Sequence, residues 1–355
     1  MLTTTIDLDA IAHNTRTLRA QTQAQLMCVV KADAYNHGVE RCVPVMEANG
    51  ADAFGVATFA EARRVRALTG KPVLAWLWDP AEQIPEGVDV GVPSLEHLRA
   101  LIDVPSAPTI YLKVDTGMHR SGIDEQRWQE AFELALVAQK QGRCEVAGLM
   151  THLSCADDPS DPYTDQQATA FRRAIAQARQ VGLRVERNHA ANSAATWTRP
   201  DLHFDMVRPG LSLYGLEPVV GLDHGLRPAM TWSAPVVTVK PMRAGEATSY
   251  ARTWQAPEDG FSAVIPVGYA DGVQRSWQGA LEVEIGGRSY PQVGRVSMDQ
   301  VVIWLGANEA GVAPGDTAVL FGDATALAAR AGTINYEVVC APRGRTTRTY
   351  IGEGK

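Results

Sequence analysis

Leu26-Met27-Cys28-Val29-Val30-Lys31-Ala32-Asp33-Ala34-Tyr35-Asn36-His37-Gly38 is an apolar run that stops on a lysine and enters a short polar loop. Helical spacing follows in Val43-Pro44-Val45-Met46-Glu47-Ala48, and a second apolar run arrives at residues 53–57. An unbroken apolar run of this length fits a strand buried on both faces, the habit of parallel sheets. The unit recurs: further apolar runs lie at 73–77, 88–92, 109–114, 146–151, 185–189 and 205–208, eight in all. Amphipathic stretches at 60–68, 95–101, 128–138 and 168–181 separate several of them. Strand alternating with helix predicts an α/β fold, and eight units predict a closed (β/α)8, TIM-like barrel. A doubly wound open sheet is the alternative. The fourth and eighth runs carry the weakest strand signal.

The texture changes after about residue 228. Strand-like runs at 236–239, 262–267, 281–285, 301–304 and 317–321 are separated by Gly/Pro turns, and Gly286-Gly287 reads as a hairpin. Only residues 325–331 look helical. The expected organisation is a barrel over 10–227 and a mostly-β C-terminal domain over 228–355, with the strand-like segment in 1–9 pairing onto it.

The 355 residues carry 33 Lys+Arg against 40 Asp+Glu, a formal charge of −7, and 45% are hydrophobic. That composition supports a large core and excludes disorder. An acidic balance without a basic run argues against nucleic acid or an anionic membrane as partner. No apolar run approaches the roughly 18–20 residues that span a bilayer. The start, Met1-Leu2-Thr3-Thr4-Thr5-Ile6-Asp7, lacks the basic and apolar regions of a signal peptide. Cys28, Cys42, Cys144, Cys155 and Cys340 have no CxxC spacing, so reduced thiols, a cytoplasmic location and no metal site are expected.

Barrel active sites lie at the C-terminal ends of the strands. Lys31, Tyr35, Asn36 and His37 follow the first run. The fifth gives Lys113-Val114-Asp115-Thr116-Gly117-Met118-His119-Arg120, the sixth Thr151-His152, the seventh His189-Ala190-Ala191-Asn192-Ser193, and the eighth Arg208-Pro209-Gly210-Leu211. Singly, each polar residue is explained by solvent or a structural hydrogen bond. Together they place cations, a tyrosine and a histidine on one rim. Ser193 and Gly210 after the seventh and eighth strands suit a phosphate. A strand-end lysine beside a phosphate cradle suggests pyridoxal phosphate held as a Schiff base on Lys31. A phosphosugar lyase or aldolase has the same ingredients, and residues alone leave that choice open. In the β domain, Ser249-Tyr250, Gly268-Tyr269-Ala270-Asp271-Gly272, Ser297-Met298-Asp299-Gln300 and Tyr336 are the dense spots.

With these motifs in view, the chain resembles the alanine racemases from residue 1 to about 350. Val30-Lys31-Ala32-Asp33-Ala34-Tyr35, Lys113-Val114-Asp115-Thr116-Gly117-Met118, Asn192-Ser193-Ala194 and Arg208-Pro209-Gly210 carry the likeness, with the tyrosine motifs of the β domain. The resemblance implies a pyridoxal 5'-phosphate homodimer with shared active sites, interconverting L- and D-alanine for peptidoglycan. It implies that Lys31 is the Schiff-base lysine and one base, and that Tyr250 is the opposite base, supplied by the partner subunit. Arg208 would face the pyridine nitrogen, with His152 linking it to Tyr250. Tyr35, Asn192, Ser193, Gly210, Leu211 and Tyr336 would hold the phosphate. Arg120 would meet the substrate carboxylate, and Lys113 matches a lysine that many relatives carbamylate to position that arginine. Tyr269 would be the entrance tyrosine and Met298 the residue that contacts the substrate carboxylate, with Asp299, Arg275 and Arg295 along the entry corridor. Asn36 and Ser297 depart from the family's common Gly and Cys, and residues 343–348 from its usual C-terminal pattern. Other readings are a broad serine/alanine racemase, a barrel-type decarboxylase, for which no motif speaks, and a non-catalytic cofactor carrier.

Overall fold

The computed structural model describes residues 1–102, 104 and 106–355. Ile11–Leu226 form one compact unit, and Met1–Ala10 with Arg227–Gly354 form another.

In the first unit, strands Gln25–Val29, Ala53–Val56, Val73–Ala75, Val88–Val92, Thr109–Lys113 and Glu145–Met150 lie side by side, parallel, in chain order. Met206–Val207 then pairs in parallel with the first strand, Gln25 opposite Met206. A sheet whose last strand returns to its first is a barrel; a doubly wound sheet would reverse order at a switch point. The strands are buried along nearly their whole length because they are apolar on both faces. Their inward side chains, among them Met27, Leu74, Tyr111, Met150 and Met206, pack into one interior cluster. Helices Val39–Ala48, Phe59–Arg66, Leu95–Ile102, Trp128–Lys140 and Tyr163–Val181 connect them, and among the described residues no helix intervenes between Val73–Ala75 and Val88–Val92.

The weak points match expectation only in part: the eighth run forms just the two-residue strand Met206–Val207. The fourth run forms a regular five-residue strand, Val88–Val92, whereas the seventh, at 185–189, forms no regular strand. Asn188 explains this. Its Oδ1 accepts from Leu149 N–H (3.0 Å), and its Nδ2 donates to Val185 O (2.9 Å) and Asp205 Oδ2 (3.0 Å). A side chain thus replaces part of the backbone ladder. The barrel still closes, through His189 N–H to Leu149 O (3.0 Å) on one side and Arg208 N–H to Ala191 O (2.8 Å) on the other. Gly148 permits the approach, since a Cβ there would collide with the Arg187 carbonyl.

The second unit is a nine-stranded sheet in the order Thr238–Met242, Gly260–Ile265, Val301–Gly306, Arg288–Val293, Glu282–Ile285, Thr317–Phe321, Met230–Pro235, Thr3–Asp7, Thr347–Ile351. Thr3–Asp7 pairs with Met230–Pro235 antiparallel and with Thr347–Ile351 in parallel. Gly286 and Gly287, at φ 59° and 78°, form the tight hairpin, with Ile285 opposite Arg288. Besides Ala324–Ala331 a second helix appears, Asn335–Cys340, which correlates with none of the sequence signals: Val338 and Val339 favour strand, and burial against the first helix overrides that propensity.

Candidate active site

Lys31 follows the first barrel strand directly, and the chain then turns the wrong way. Ala32, Asp33, Ala34, Tyr35 and Asn36 all have positive φ, between 51° and 66°, a left-handed helical turn built without glycine. Each such residue costs roughly 1–2 kcal/mol, so surrounding contacts must over-determine the turn. They do. Ala32 N–H donates to Glu61 Oε1 (2.7 Å), Val39 N–H to Asp33 Oδ1 (3.1 Å), and Gly38 N–H to Asp33 O (2.9 Å). Tyr35 and His37 both pack on the ring of Tyr214, with centroids 4.8 and 4.5 Å away. Tyr214 in turn donates to Val29 O (2.9 Å), just before the lysine. The turn leaves Lys31 Nζ 5.8 Å from the Tyr35 ring centroid.

Arg208 follows the last strand and is buried, 6% exposed. Its partners are neutral: His189 Nδ1 (2.7 Å), Thr151 O (2.6 Å), Ala190 O (3.4 Å) and His152 Nδ1 (3.5 Å). Burial draws its pKa down to about 10. Burial, then the Arg208 charge, holds His189 well below the usual histidine range, and His152 is held down by burial and by Arg208, Arg120, Lys113 and Lys31 together. Lys113, at a strand end, donates to Ser121 Oγ. Burial first, then Arg120 and Arg208, lowers it to about 8, against the pull of Asp115. Four basic side chains therefore bear electrostatically on one neutral histidine.

The segments after the seventh run and the last strand form a cradle. Ser193 Oγ accepts from Gly210 N–H (2.9 Å) and Ser212 N–H (3.4 Å). A Cβ on Gly210 would collide with the Tyr35 hydroxyl, so the glycine allows backbone and ring to meet. Asn192 Oδ1 caps the short helix Ser193–Thr198 by accepting from Ala195 N–H (3.0 Å), so its side chain shapes the cradle, and Leu211 is buried behind it. Basic side chains at the strand ends, a lysine, a tyrosine hydroxyl and a close backbone approach at Gly210 fit an anionic phosphorylated aldehyde such as pyridoxal phosphate.

In the second unit Tyr250, Tyr269 and Met298 are exposed, at 70%, 38% and 51%, and Tyr336 lies on Asn335–Cys340. Tyr269 N–H donates to Ser297 O (3.0 Å) and Ala270 N–H to Met298 O (3.1 Å), which brings Tyr269 and Met298 together. Ser249 Oγ donates to Arg295 O (2.7 Å) beside Tyr250, in a turn with positive φ at Ser249, Ala251 and Arg252. Asp299 is bound by Arg345 Nη1 (2.8 Å), whereas Arg275 is exposed in its own short turn.

The model of the alanine racemase N-terminal domain matches residues 6–218, and that of the alanine racemase C-terminal domain matches 229–350. The chain belongs to the alanine racemase family. An alanine racemase of Corynebacterium efficiens is 58% identical, with 100% of both chains covered. The crystal structure of alanine racemase from Corynebacterium glutamicum superposes with a TM-score of 0.90 at 52% identity, covering 99% of each chain. One from Bartonella henselae, described with covalently bound pyridoxal phosphate, has a TM-score of 0.89 at 26% identity and 99% coverage of both. The enzyme is an isomerase that interconverts L- and D-alanine.

For an alanine racemase, the sequence motifs left three contributors without a role. His189 stands at the end of the seventh run, and that position was its only signal. Thr151 acts through its backbone carbonyl, which no residue type announces. Tyr214 has a signal only in its nearness to Gly210. Among the described residues no helix is long and apolar enough to cross a membrane.

Proposed function

We propose that this alanine racemase uses pyridoxal 5'-phosphate, with Lys31 and Tyr250 as bases on opposite faces of the substrate and Tyr250 supplied by the partner in a homodimer. In the cell this activity would supply D-alanine for peptidoglycan in the cytoplasm. The observation that carries the reading is the set of basic side chains, Arg208, Arg120, Lys113 and Lys31, that bear on His152, with buried Arg208 hydrogen-bonded to the neutral groups of His189, Thr151 and His152. Such a set demands anions, and the cofactor phosphate and the alanine carboxylate supply them. When bound, the cofactor supplies an electron-withdrawing ring that acidifies the α-proton of alanine.

The chain's own residues do the rest. Ser193, Gly210, Leu211, Tyr35, Asn192 and Tyr336 bind the phosphate end. Arg208 offers N–H donors to the ring nitrogen and, held by His189 and Thr151, cannot act there as a proton-donating acid. Arg120, backed by Lys113, binds the carboxylate. The depressed Lys113 is partly neutral near pH 8, the form that captures carbon dioxide as a carbamate. Racemisation needs a proton removed from one face of Cα and another delivered to the other, so two bases serve where one cannot. His152 links Arg208 to the tyrosine side, Tyr269 restricts the entrance to a small substrate, and Met298 contacts the carboxylate.

Replacing Lys31 by Ala or Tyr250 by Phe should each lower kcat at least about 100-fold, the scale of a lost general base. Near-wild-type turnover in either variant would refute its assignment.

A further inference from the structure

Helix Tyr163–Val181 belongs to the outer ring of the barrel, yet two residues one turn apart, Tyr163 and Gln167, reach back into the mouth. The Tyr163 hydroxyl donates to Gly117 O (2.8 Å), and a Cβ on Gly117 would strike it. Gln167 is fully buried, and its amide is saturated. Oε1 accepts from Ser154 N–H (2.9 Å) and Ser154 Oγ (3.0 Å). Nε2 donates to His152 O (3.1 Å) and Thr116 Oγ1 (3.3 Å). A backbone N–H must meet an acceptor and a carbonyl must meet a donor, so the orientation of the amide is fixed.

These four bonds join two segments that the barrel holds on different strands. One is the loop after Thr109–Lys113, which carries Arg120 and is folded on Asp115, whose Oδ1 accepts from Gly117 N–H (2.8 Å) and His119 N–H (3.2 Å). The other is the segment after Glu145–Met150, which carries His152 and whose Thr151 carbonyl holds Arg208. Thr116 and Thr151 hydroxyls meet at 2.8 Å as a second stitch.

We propose that Gln167 is a positioning residue of the racemase: it fixes the register between the Arg120 loop and the His152 segment, so that carboxylate binding and base chemistry address the same substrate. This rests on the roles given above to Arg120 and His152. An apolar residue of equal size would fill the space, but only a side chain with both a donor and an acceptor joins His152 O and Ser154 N–H at once.

The test compares cofactor-loaded wild type with Gln167→Glu and Thr116→Val at mildly alkaline pH. The carboxylate keeps the acceptor for Ser154 but removes the donor to His152 and Thr116, so kcat should fall and KM for alanine rise, each by about tenfold. Thr116→Val leaves Gln167 on His152 and Ser154 but cuts the two stitches to the Arg120 loop, from Gln167 Nε2 and the Thr151 hydroxyl, so KM should rise about threefold while kcat, which depends on the intact His152 segment, stays within about twofold. Gln167→Met, which removes all four bonds, should equal or exceed the Gln167→Glu effect.

Wild-type kcat and KM per loaded site in a folded Gln167 variant would overturn the proposal. So would a Gln167 variant whose lost activity is wholly accounted for by lost cofactor or unfolding, with kinetics per loaded site unchanged. Should both Gln167 variants fail to fold, an unchanged KM in Thr116→Val overturns it. Lys31→Ala and Tyr250→Phe, assayed in parallel, separate the two claims: activity surviving in those variants refutes the two-base reading itself, whatever Gln167 does.

Discussion

Arg208 is a buried cation surrounded by neutral acceptors, and the histidines beside it bear the consequence. His152 and His189 are held neutral well below 6.5, chiefly by burial and then by that charge. The unfolded chain takes up protons below about pH 6.5 and the folded chain does not, so stability is lost as pH falls through that value, at up to about 1.4 kcal/mol per unit for each histidine. His189→Gln should therefore flatten the acid limb of a denaturant-derived stability curve between about pH 6.5 and 5; an unchanged slope would mean that His189 is protonated in the folded enzyme. Arg208→Glu places an acid where donors stood. It should raise transamination with alanine, measured as pyruvate formation, because a protonated ring nitrogen draws more charge into the ring. Unchanged pyruvate formation would count against the placement of Arg208 at that nitrogen. At this scale the sequence was legible where a residue type is rare at its position. Lys31 and Arg208 on strand ends could be seen, whereas the carbonyl of Thr151 and the amide of Gln167 act through contacts that only the fold creates.

Elements were legible by period and not by local exception. Eight apolar runs specify a barrel because burial on both faces imposes composition along a whole strand. The seventh strand is irregular because one side chain, Asn188, takes over ladder bonds, and nothing in the run 185–189 announces that. The left-handed turn after Lys31 is harder still, since four of its five residues break the local rule and neighbouring elements hold them. Asn36, at φ 66°, is the one that bears it readily. Asn36→Gly should be tolerated, while Asn36→Val should cost about 1–2 kcal/mol by denaturant unfolding and loosen cofactor retention. Equal stability of the two would mean that the turn is not left-handed at residue 36. Strand Val88–Val92 carries a second cost. Burial, partly countered by Arg187, raises Asp89 to about 6, so its carboxylate destabilises the fold as pH rises from about 4 through 6. Asp89→Asn should then stabilise the protein at pH 7 by roughly 1–3 kcal/mol and leave it nearly unchanged near pH 4. A loss at pH 7 would show that the charge is used.

For the whole molecule, the motifs in 1–350 made the family legible, while the homodimer remains a proposal that rests on the family resemblance. Lys31 lies in the unit Ile11–Leu226 and Tyr250 in the other, and the proposed site shared between subunits makes a testable demand. Inactive Lys31→Ala and Tyr250→Phe chains, mixed and allowed to exchange subunits, should recover up to one working site per mixed dimer. No recovery after verified exchange would place both bases on one chain. The two-base account itself is tested most directly by incubating the cofactor-loaded enzyme with L-alanine in D2O and measuring chirality and α-deuterium together. Deuterated D-alanine is the predicted product; deuterium entering alanine that stays in the L form would mean that a single base works alone and that Tyr250 is not its counterpart.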